Sequence, residues 1–577
     1  MVLFSFLQNF INEVPPELAI LIEIGVMIII ATLLAFLVKI SKQPLIPAYI
    51  FTGIIIGPLV LGLIDDTLLI TSLSQIGVAF LIFTAGIEIK FRKLKEVGMG
   101  SSIAGIIQII ILFFLAFLVS SWLGYTGKAP VYIGLIVAFS STMIVVALLA
   151  EKNELNSLHG RIIISILLIQ DIVAIVALSV LSSNFSLSSI GIVLGKALLF
   201  GFFAFVLSKA SNKFLGKTAD NKELLLLASI SFLFLFIIAS FMADLSLVIG
   251  AFFAGVALAN SDYKTEIQSN INPLREFFAV IFFVALGMQL KLISSSLLLL
   301  LSILFFLVMI IKPLVIMYLV RFFGYQKRTA FLTGNALGQT SEFSFVIVML
   351  GASLGHINSE LFSALILLTI LTMSFTTYFI SHERKLSEWF SWPLNVLDGI
   401  KSRKEELEYL DNHNKVILFG CHRMGSLILR EFEKNKDDIL VVDYDPEIIK
   451  ALINKKIPCI YGDFMHEEIL DKVNIKQAEV IISTVPDFED NLHLIGKINR
   501  LNINKSEKKT IVIVVASKIH EALELYKRGA DYVILPKFIG GEVASSIVKK
   551  ASRDKQWLRR IRNSHKKRLE SVHRVLY

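Results

Sequence analysis

Residues 162–183 read IIISILLIQDIVAIVALSVLSS. As helix, at ~1.5 Å per residue, this stretch crosses ~30 Å of hydrocarbon. It carries one charge, Asp171, with Gln170 beside it. A charge in mid-bilayer costs several kcal/mol and is functional by default.

Similar apolar stretches surround it. They lie near 18–40, 44–61, 67–89, 101–124, 130–150, 189–210, 223–242, 245–260, 276–290, 294–320, 329–352 and 360–381. With 162–183 they make about 13 spans, and Asp244 argues for a break inside 223–260. A hydrophobic fraction of 55% and a mean hydropathy of +0.72 exclude a soluble globular chain. The expected organisation is a transmembrane domain at 1–381, an interfacial linker at 382–413, an α/β domain at 414–548 and a basic tail at 549–577. The start of the chain has no basic n-region and no Ala-x-Ala-like site, so the first helix is expected to be a retained span. Cys421 and Cys459 form no CxxC pattern and read as reduced cytosolic thiols.

Basic residues fix an orientation. One set of alternate connections holds seventeen, from Lys39 and Lys42 to Lys327 and Arg328, with Lys264 and Arg275 among them. The other set holds only Lys128 and Lys291. The positive-inside rule then puts the N-terminus outside and the soluble half in the cytoplasm. It also accounts for the net charge of +9 without nucleic acid.

Two spans are interrupted, one by Ser140-Ser141-Thr142 and the other by Gly334 to Glu342, a run that includes Gln339. Paired interrupted helices mark the binding site of a transporter, although hydroxyls and glycines also permit close helix packing. Depth separates the two readings. Counted from the cytoplasmic ends, Asp171 lies at ~14 Å, Lys312 at ~12 Å, Ser140 to Thr142 at ~12–15 Å and Gly338 to Ser341 at ~14–18 Å. These features converge near one plane and describe one site. Lys196, also within a span, reads as a snorkelling lysine. A partly dehydrated Na+ or K+ needs Asp171 ionised, with oxygens from Gln170, Ser141, Thr142 and unwound carbonyls beside it. One carboxylate cannot hold a proton and a cation together, so competition at Asp171 is a sufficient mechanism for antiport. The expected ion and proton site comprises Asp171, Gln170, Ser140, Ser141, Thr142, Lys312, Gln339 and Glu342, with the monovalent cation on Asp171 and Gln170.

These residues resemble the monovalent cation:proton antiporter-2 family, and within it the glutathione-gated K+ efflux proteins called KefC. The likeness rests on Pro47 to Pro58 with its Gly53 and Gly57, Thr84 to Glu88, Phe139 to Thr142, Gln170-Asp171, Gly250 to Gly255, Phe282 to Met288 and Gly338 to Phe343. It covers nearly the whole chain. The resemblance implies a 13-helix polytopic fold with inverted repeats and two crossing broken helices. It also implies a homodimer, an elevator-type movement and residence in a prokaryotic inner membrane. Asp171 matches the essential family carboxylate. Electrogenic relatives carry two adjacent aspartates there; this chain has Gln170 in the first place, as the K+-handling branch does. Lys312 matches the lysine that pairs with that first aspartate. Gln170 removes the partner and leaves Lys312 either titrating or a fixed counter-charge.

Residues 382–413, with Trp389, Trp392 and Pro393, read as an interfacial linker. From 414 onward strands at 415–419, 439–443, 458–461, 479–483, 510–515 and 532–535 alternate with helix-length segments, a Rossmann-type α/β pattern. The first strand runs into Gly420-Cys421-His422-Arg423-Met424-Gly425, and Asp443 ends the second. A strand, a Gly turn, a helix and a later acid are the context of a dinucleotide fingerprint. His422 stands where that fingerprint has its second glycine, and either crowds the phosphate or donates to it. The domain resembles the TrkA-N, or RCK, modules of K+ transport proteins, with Asp463 and Thr484 at later strand ends. The resemblance implies dimerisation and an adenine nucleotide (AMP, ATP or NAD(H)) held by Gly420, His422, Arg423, Met424, Gly425, Asp443, Asp463 and Thr484 as a regulator. Nothing provides a substrate pocket for hydride transfer, so no enzyme is expected. The tail, with Arg559, Arg560, Arg562, Lys566, Lys567 and Arg568, reads as a solvated or lipid-touching helix. Three readings stand: K+/H+ antiport, Na+/H+ antiport at the same site, and a ligand-gated K+ channel. A Thr-Val-Gly-Tyr-Gly filter is absent from the sequence.

Overall fold

The computed structural model describes the chain except 1–15, 42, 65–66, 89–98, 153, 156, 182–186, 219–220, 244, 260, 326, 384–385, 387–407, 410–414, 433–437, 463, 465–466, 474, 503–509, 555, 557–560, 563–564 and 567–577. Asp244, Trp389, Trp392, Pro393, Asp463, Arg559, Arg560, Lys567 and Arg568 therefore lie outside the described residues. The chain forms two compact units, one helical and one α/β.

In the helical unit every expected span has helix in place. The order is α1 (Pro16–Ile40), α2 (Leu45–Ile56), α3 (Thr67–Glu88), α4 (Met99–Trp122), α5 (Ala129–Ala138), α6 (Thr142–Glu151), α7 (Leu158–Leu181) and α8 (Leu187–Thr218). It continues with α9 (Lys222–Met242), α10 (Leu247–Ala259), α11 (Lys264–Met288), α12 (Ser295–Phe306), α13 (Lys312–Phe322), α14 (Lys327–Ala336), α15 (Glu342–Ser353) and α16 (Ser359–Ser381). Among the described residues, 8 helices or helix pairs are long and apolar enough to cross a membrane by themselves. Leu21, Phe36, Leu199, Phe202 and Phe241 stand exposed on their faces, as lipid-facing side chains must.

The helices sort into two bundles. In one, α3 packs on α10 and α11, α2 on α1 and α11, and α10 on α8 and α9. In the other, α4 packs on α5, α13 on α14, α16 on α12 and α15, and α15 on α5. The first bundle closes on small residues. A Cβ on Gly255 of α10 would overlap the carbonyl of Phe83 on α3, and one on Gly86 would overlap that of Phe252. The backbones touch there, and a methyl has no flexible neighbour to displace. Overpacking of this kind costs about 1–3 kcal/mol. Gly255→Ala should therefore lower the melting temperature of the detergent-solubilised protein by several degrees; an unchanged melting curve would show that α3 and α10 separate easily.

Both interrupted spans break where the sequence predicts. Extended backbone at Ser141 ends the gap between α5 and α6, and the Ser141 hydroxyl accepts from Ile144 N at 3.4 Å. Ser341 does the same for α15, accepting from Phe343 N at 3.1 Å while Ser344 Oγ accepts from Ser341 N at 3.3 Å. These hydroxyls satisfy N–H groups that lipid could not. One departure lies between α12 and α13, where Leu307–Ile311 form a π-helical turn directly before Lys312. A π turn re-aims the residues that follow it, and such turns concentrate at functional sites.

The second unit is a doubly wound sheet. Its strands are β1 (Glu408–Tyr409), β2 (Val416–Phe419), β3 (Ile439–Asp443), β4 (Cys459–Tyr461), β5 (Val480–Ser483), β6 (Ile511–Val515) and β7 (Tyr532–Ile534). They lie in the order β1-β4-β3-β2-β5-β6-β7, parallel except for β1 against β4. The chain reverses its direction of travel at β2 and β5, which are hydrogen-bonded neighbours. Ligands of such sheets bind outside the carboxyl ends of the strands at that switch point.

Candidate functional site

The four ends of α5, α6, α14 and α15 meet in the second bundle, and charge is sorted there by helix polarity. The C-terminal ends of α5 and α14 supply carbonyls, and Lys312 Nζ lies among them. It donates to Val137 O at 3.0 Å, to Phe139 O at 2.6 Å and to Gln339 O at 2.6 Å. Lys312 is fully buried. The N-terminal ends of α6 and α15 supply N–H groups, and the carboxylates lie there. Met143 N donates to Glu342 Oε1 at 3.3 Å, and Thr142 Oγ1 donates to Asp171 Oδ2 at 2.9 Å. Each charge thus faces the helix ends of opposite partial charge.

Asp171, Thr142 and Glu342 also line one cavity of about 440 Å³. Its walls come from both bundles: Thr84 and Glu88 of α3 and Asn272 and Arg275 of α11 on one side, α6, α7 and α15 on the other. Glu342 Oε2 is buried with no hydrogen-bond partner among the described residues. An orphaned carboxylate oxygen beside a second carboxylate fits a site built to receive a cation or a proton.

The remaining expected ligands form a layer that does not line this cavity. Ser140 N donates to Gln170 Oε1 at 2.9 Å, and Ser140 Oγ donates to Leu337 O at 3.0 Å. Gln339 Nε2 donates to Ser141 O at 3.5 Å. Gln170 thus spends its oxygen on the broken backbone of the α5–α6 span, because the unwound N–H of Ser140 has no helical acceptor. Lys312 likewise sits on carbonyls in place of a carboxylate. Lys196 reaches the carbonyl of Ala243 at 2.8 Å. Sequence reasoning missed Glu88 and Arg275 as cavity residues, noting one only within a motif and counting the other only as a loop charge. The polar positions Gln268, Asn272 and Arg275, at helical spacing, were the available signal.

In the α/β unit, Gly420 follows β2 with φ of +83°, and a Cβ on it would meet Thr484 Oγ1 at 2.8 Å. A Cβ on Gly425 would overlap the Gly420 carbonyl. Both positions therefore require glycine. Thr484 Oγ1 donates to Gly420 O at 2.9 Å and so ties the end of β5 to the turn. His422 is exposed and is the N-cap of the helix Arg423–Glu431, without a side-chain capping bond. Met424 is half-buried beside it. Asp443 is buried and accepts from Cys421 N at 2.6 Å and Asp445 N at 2.8 Å. It holds the glycine turn in shape, a role the sequence did not suggest for a residue expected on a ribose. Burial pushes the Asp443 carboxyl up from the ordinary carboxylate range, and the two N–H donors pull against that rise. Burial, with Asp443 adjacent, pushes the Cys421 thiol up to about 12.

A family model described as sodium/hydrogen exchanger, transmembrane, matches residues 26–382, and a TrkA-N domain model matches residues 416–536. The chain is 32% identical over 410 residues to K(+) efflux antiporter 6 of Arabidopsis thaliana, covering 67% of this chain and 68% of that one. It is 28% identical over 460 residues to the glutathione-regulated potassium-efflux system protein KefC of Cronobacter sakazakii, covering 77% of this chain and 72% of that one. The chain belongs to the sodium/hydrogen exchanger family of membrane proteins, as a cation/proton antiporter of the monovalent cation:proton antiporter-2 kind with a C-terminal TrkA-N domain.

Proposed function

We propose that the protein exchanges K+ for H+ across the membrane by competition of the two ions at Asp171, and that the TrkA-N domain regulates this exchange by binding an adenine nucleotide. One observation carries the reading: Asp171 and Glu342 face a single cavity at the converging N-terminal ends of α6 and α15. Thr142 and the unwound backbone offer neutral oxygens beside them. The cavity lies between two bundles, so a movement of one against the other would carry the bound ion from one side to the other. Gln170 in place of a second aspartate and the potassium-efflux names of the relatives favour K+. Na+/H+ exchange at the same carboxylate is the second reading. Exchange in proteoliposomes with a pH dye, adding K+, Na+ and Li+ in turn, separates them; a response to Na+ and none to K+ would reverse the preference.

In this reading the protein is a homodimeric transporter rather than an enzyme. It lies in a prokaryotic inner membrane, with the N-terminus outside and the TrkA-N domain in the cytoplasm. The glycine turn at Gly420 to Gly425 and the helix N-terminus at Arg423 would take the nucleotide phosphates. With His422 filling the second glycine position, AMP is favoured over a dinucleotide. Binding alters transport only if the nucleotide prefers one transport state. Calorimetric titration of the purified full chain with AMP, ATP, NAD and NADH should give heat with AMP. No heat with any of the four would leave the domain as a structural module.

A further inference from the structure

Arg275 is the one basic side chain among the described residues that lines the cavity holding Asp171. A guanidinium keeps its charge at every relevant pH. A fixed positive charge in the vestibule of a cation site repels the substrate. What offsets it is a second feature of the same wall. Arg275 Nη1 pairs with Glu88 Oε1 at 3.2 Å, from α11 to the last residue of α3. Glu276 is farther off, 3.9 Å from Arg275 Nη2 and largely exposed. The Arg275 side chain is 13% exposed and that of Glu88 43%, so the guanidinium is the less hydrated partner. Its Nε is buried with no hydrogen-bond partner among the described residues. Both residues lie on helices of the first bundle, α11 and α3, whereas Asp171 lies on α7. Asn272 and Gln268, one and two turns before Arg275 on α11, extend the polar face into the cavity with neutral amides.

We propose that Glu88 determines cation access by cancelling the charge of Arg275, so that the vestibule leading to Asp171 admits a monovalent cation. Glu88 does not ligate the transported ion; it acts through Arg275 as a positioning and charge-neutralising residue. The inference rests on the antiport reading at Asp171. A unit charge left without Glu88 in the same cavity, taken at a separation of ~10 Å and an effective dielectric constant near 20, changes cation occupancy about tenfold. Salt screens that effect.

The test uses everted membrane vesicles containing the full chain, which present the cytoplasmic face to added K+. Wild type must first show K+-driven proton movement and Asp171→Asn must lack it; otherwise the antiport reading itself fails. Given that, Glu88→Gln should raise the apparent KM for K+ about tenfold at low ionic strength and change kcat less than twofold. Added choline chloride should shrink the rise. Arg275→Gln alone should lower the KM, and Glu88→Gln/Arg275→Gln should return it to within about twofold of wild type. Arg275→Gln is read without Glu88→Gln, so a failure of the latter variant to assemble still leaves a test. A KM unchanged in Glu88→Gln, a KM raised in Arg275→Gln, or a double variant no better than Glu88→Gln would overturn the proposal; the last would make Glu88 a direct ligand.

Discussion

Asp171→Asn is expected to reduce cation-driven proton flux to the background of empty vesicles, with expression and melting behaviour close to wild type. Asparagine has the size of aspartate and can still accept the hydrogen bond that Thr142 donates to Asp171 Oδ2 at 2.9 Å. It cannot take up a proton or carry the charge that a dehydrated cation requires. Under competition at Asp171 one group does both tasks, so losing it removes coupling and binding together. Glu342, the second carboxylate on the same cavity, is not expected to substitute for it. Glu342 Oε1 is already engaged by Met143 N at the start of α6, and Asp171 is the group that comes from an unbroken helix, α7. Flux above background in this variant would place the exchange elsewhere.

Lys312→Gln is expected to lose stability first and to retain some exchange. The ammonium satisfies three buried carbonyls, those of Val137 in α5, of Phe139 just after it and of Gln339 in the loop after α14. A shorter, neutral amide reaches fewer of them, and each orphaned carbonyl costs about 1–3 kcal/mol. The melting temperature in detergent should fall clearly, and Lys312→Arg should recover part of the loss. Exchange is expected to persist because Lys312 does not line the cavity and pairs with no carboxylate among the described residues. Complete loss of exchange in a Lys312→Gln protein that melts like wild type would make the lysine an obligatory member of the transport cycle.

The sequence made the membrane half legible because lipid imposes a length on every span and penalises each polar residue inside one. That is why Asp171, Lys312, Ser140 to Thr142 and Glu342 stood out, and why both helix breaks fell where hydroxyl runs interrupt apolar sequence. Side-chain direction was not legible. Gln170 and Asp171 are neighbours in sequence and ~100° apart around a helix, so one turns to Ser140 N and the other to the cavity. Lys312 was placed at the right depth, but nothing in its own span indicates that its partners are carbonyls of α5 and of the loop after α14. Glu88 and Arg275 escaped notice because charges near span ends are ordinary; only the packing of α3 on α11 brings them together beside Asp171's cavity. In the α/β domain the Gly420–Gly425 turn was readable from spacing. The use of Asp443 to bind that turn, through Cys421 N and Asp445 N, depends on how closely β2 and β3 approach.

Antiport at Asp171 requires that proton and cation compete for one carboxylate. The most direct measurement is calorimetric titration of K+ into the purified full-length protein, at a pH low enough that Asp171 is protonated before K+ is added, in buffers of different ionisation enthalpy, for wild type and Asp171→Asn. Competition predicts the release of about one proton per protomer on K+ binding to wild type, with apparent affinity falling as pH drops, and neither heat nor release in the variant. K+ binding to wild type without proton release, or release that persists in Asp171→Asn, would contradict it.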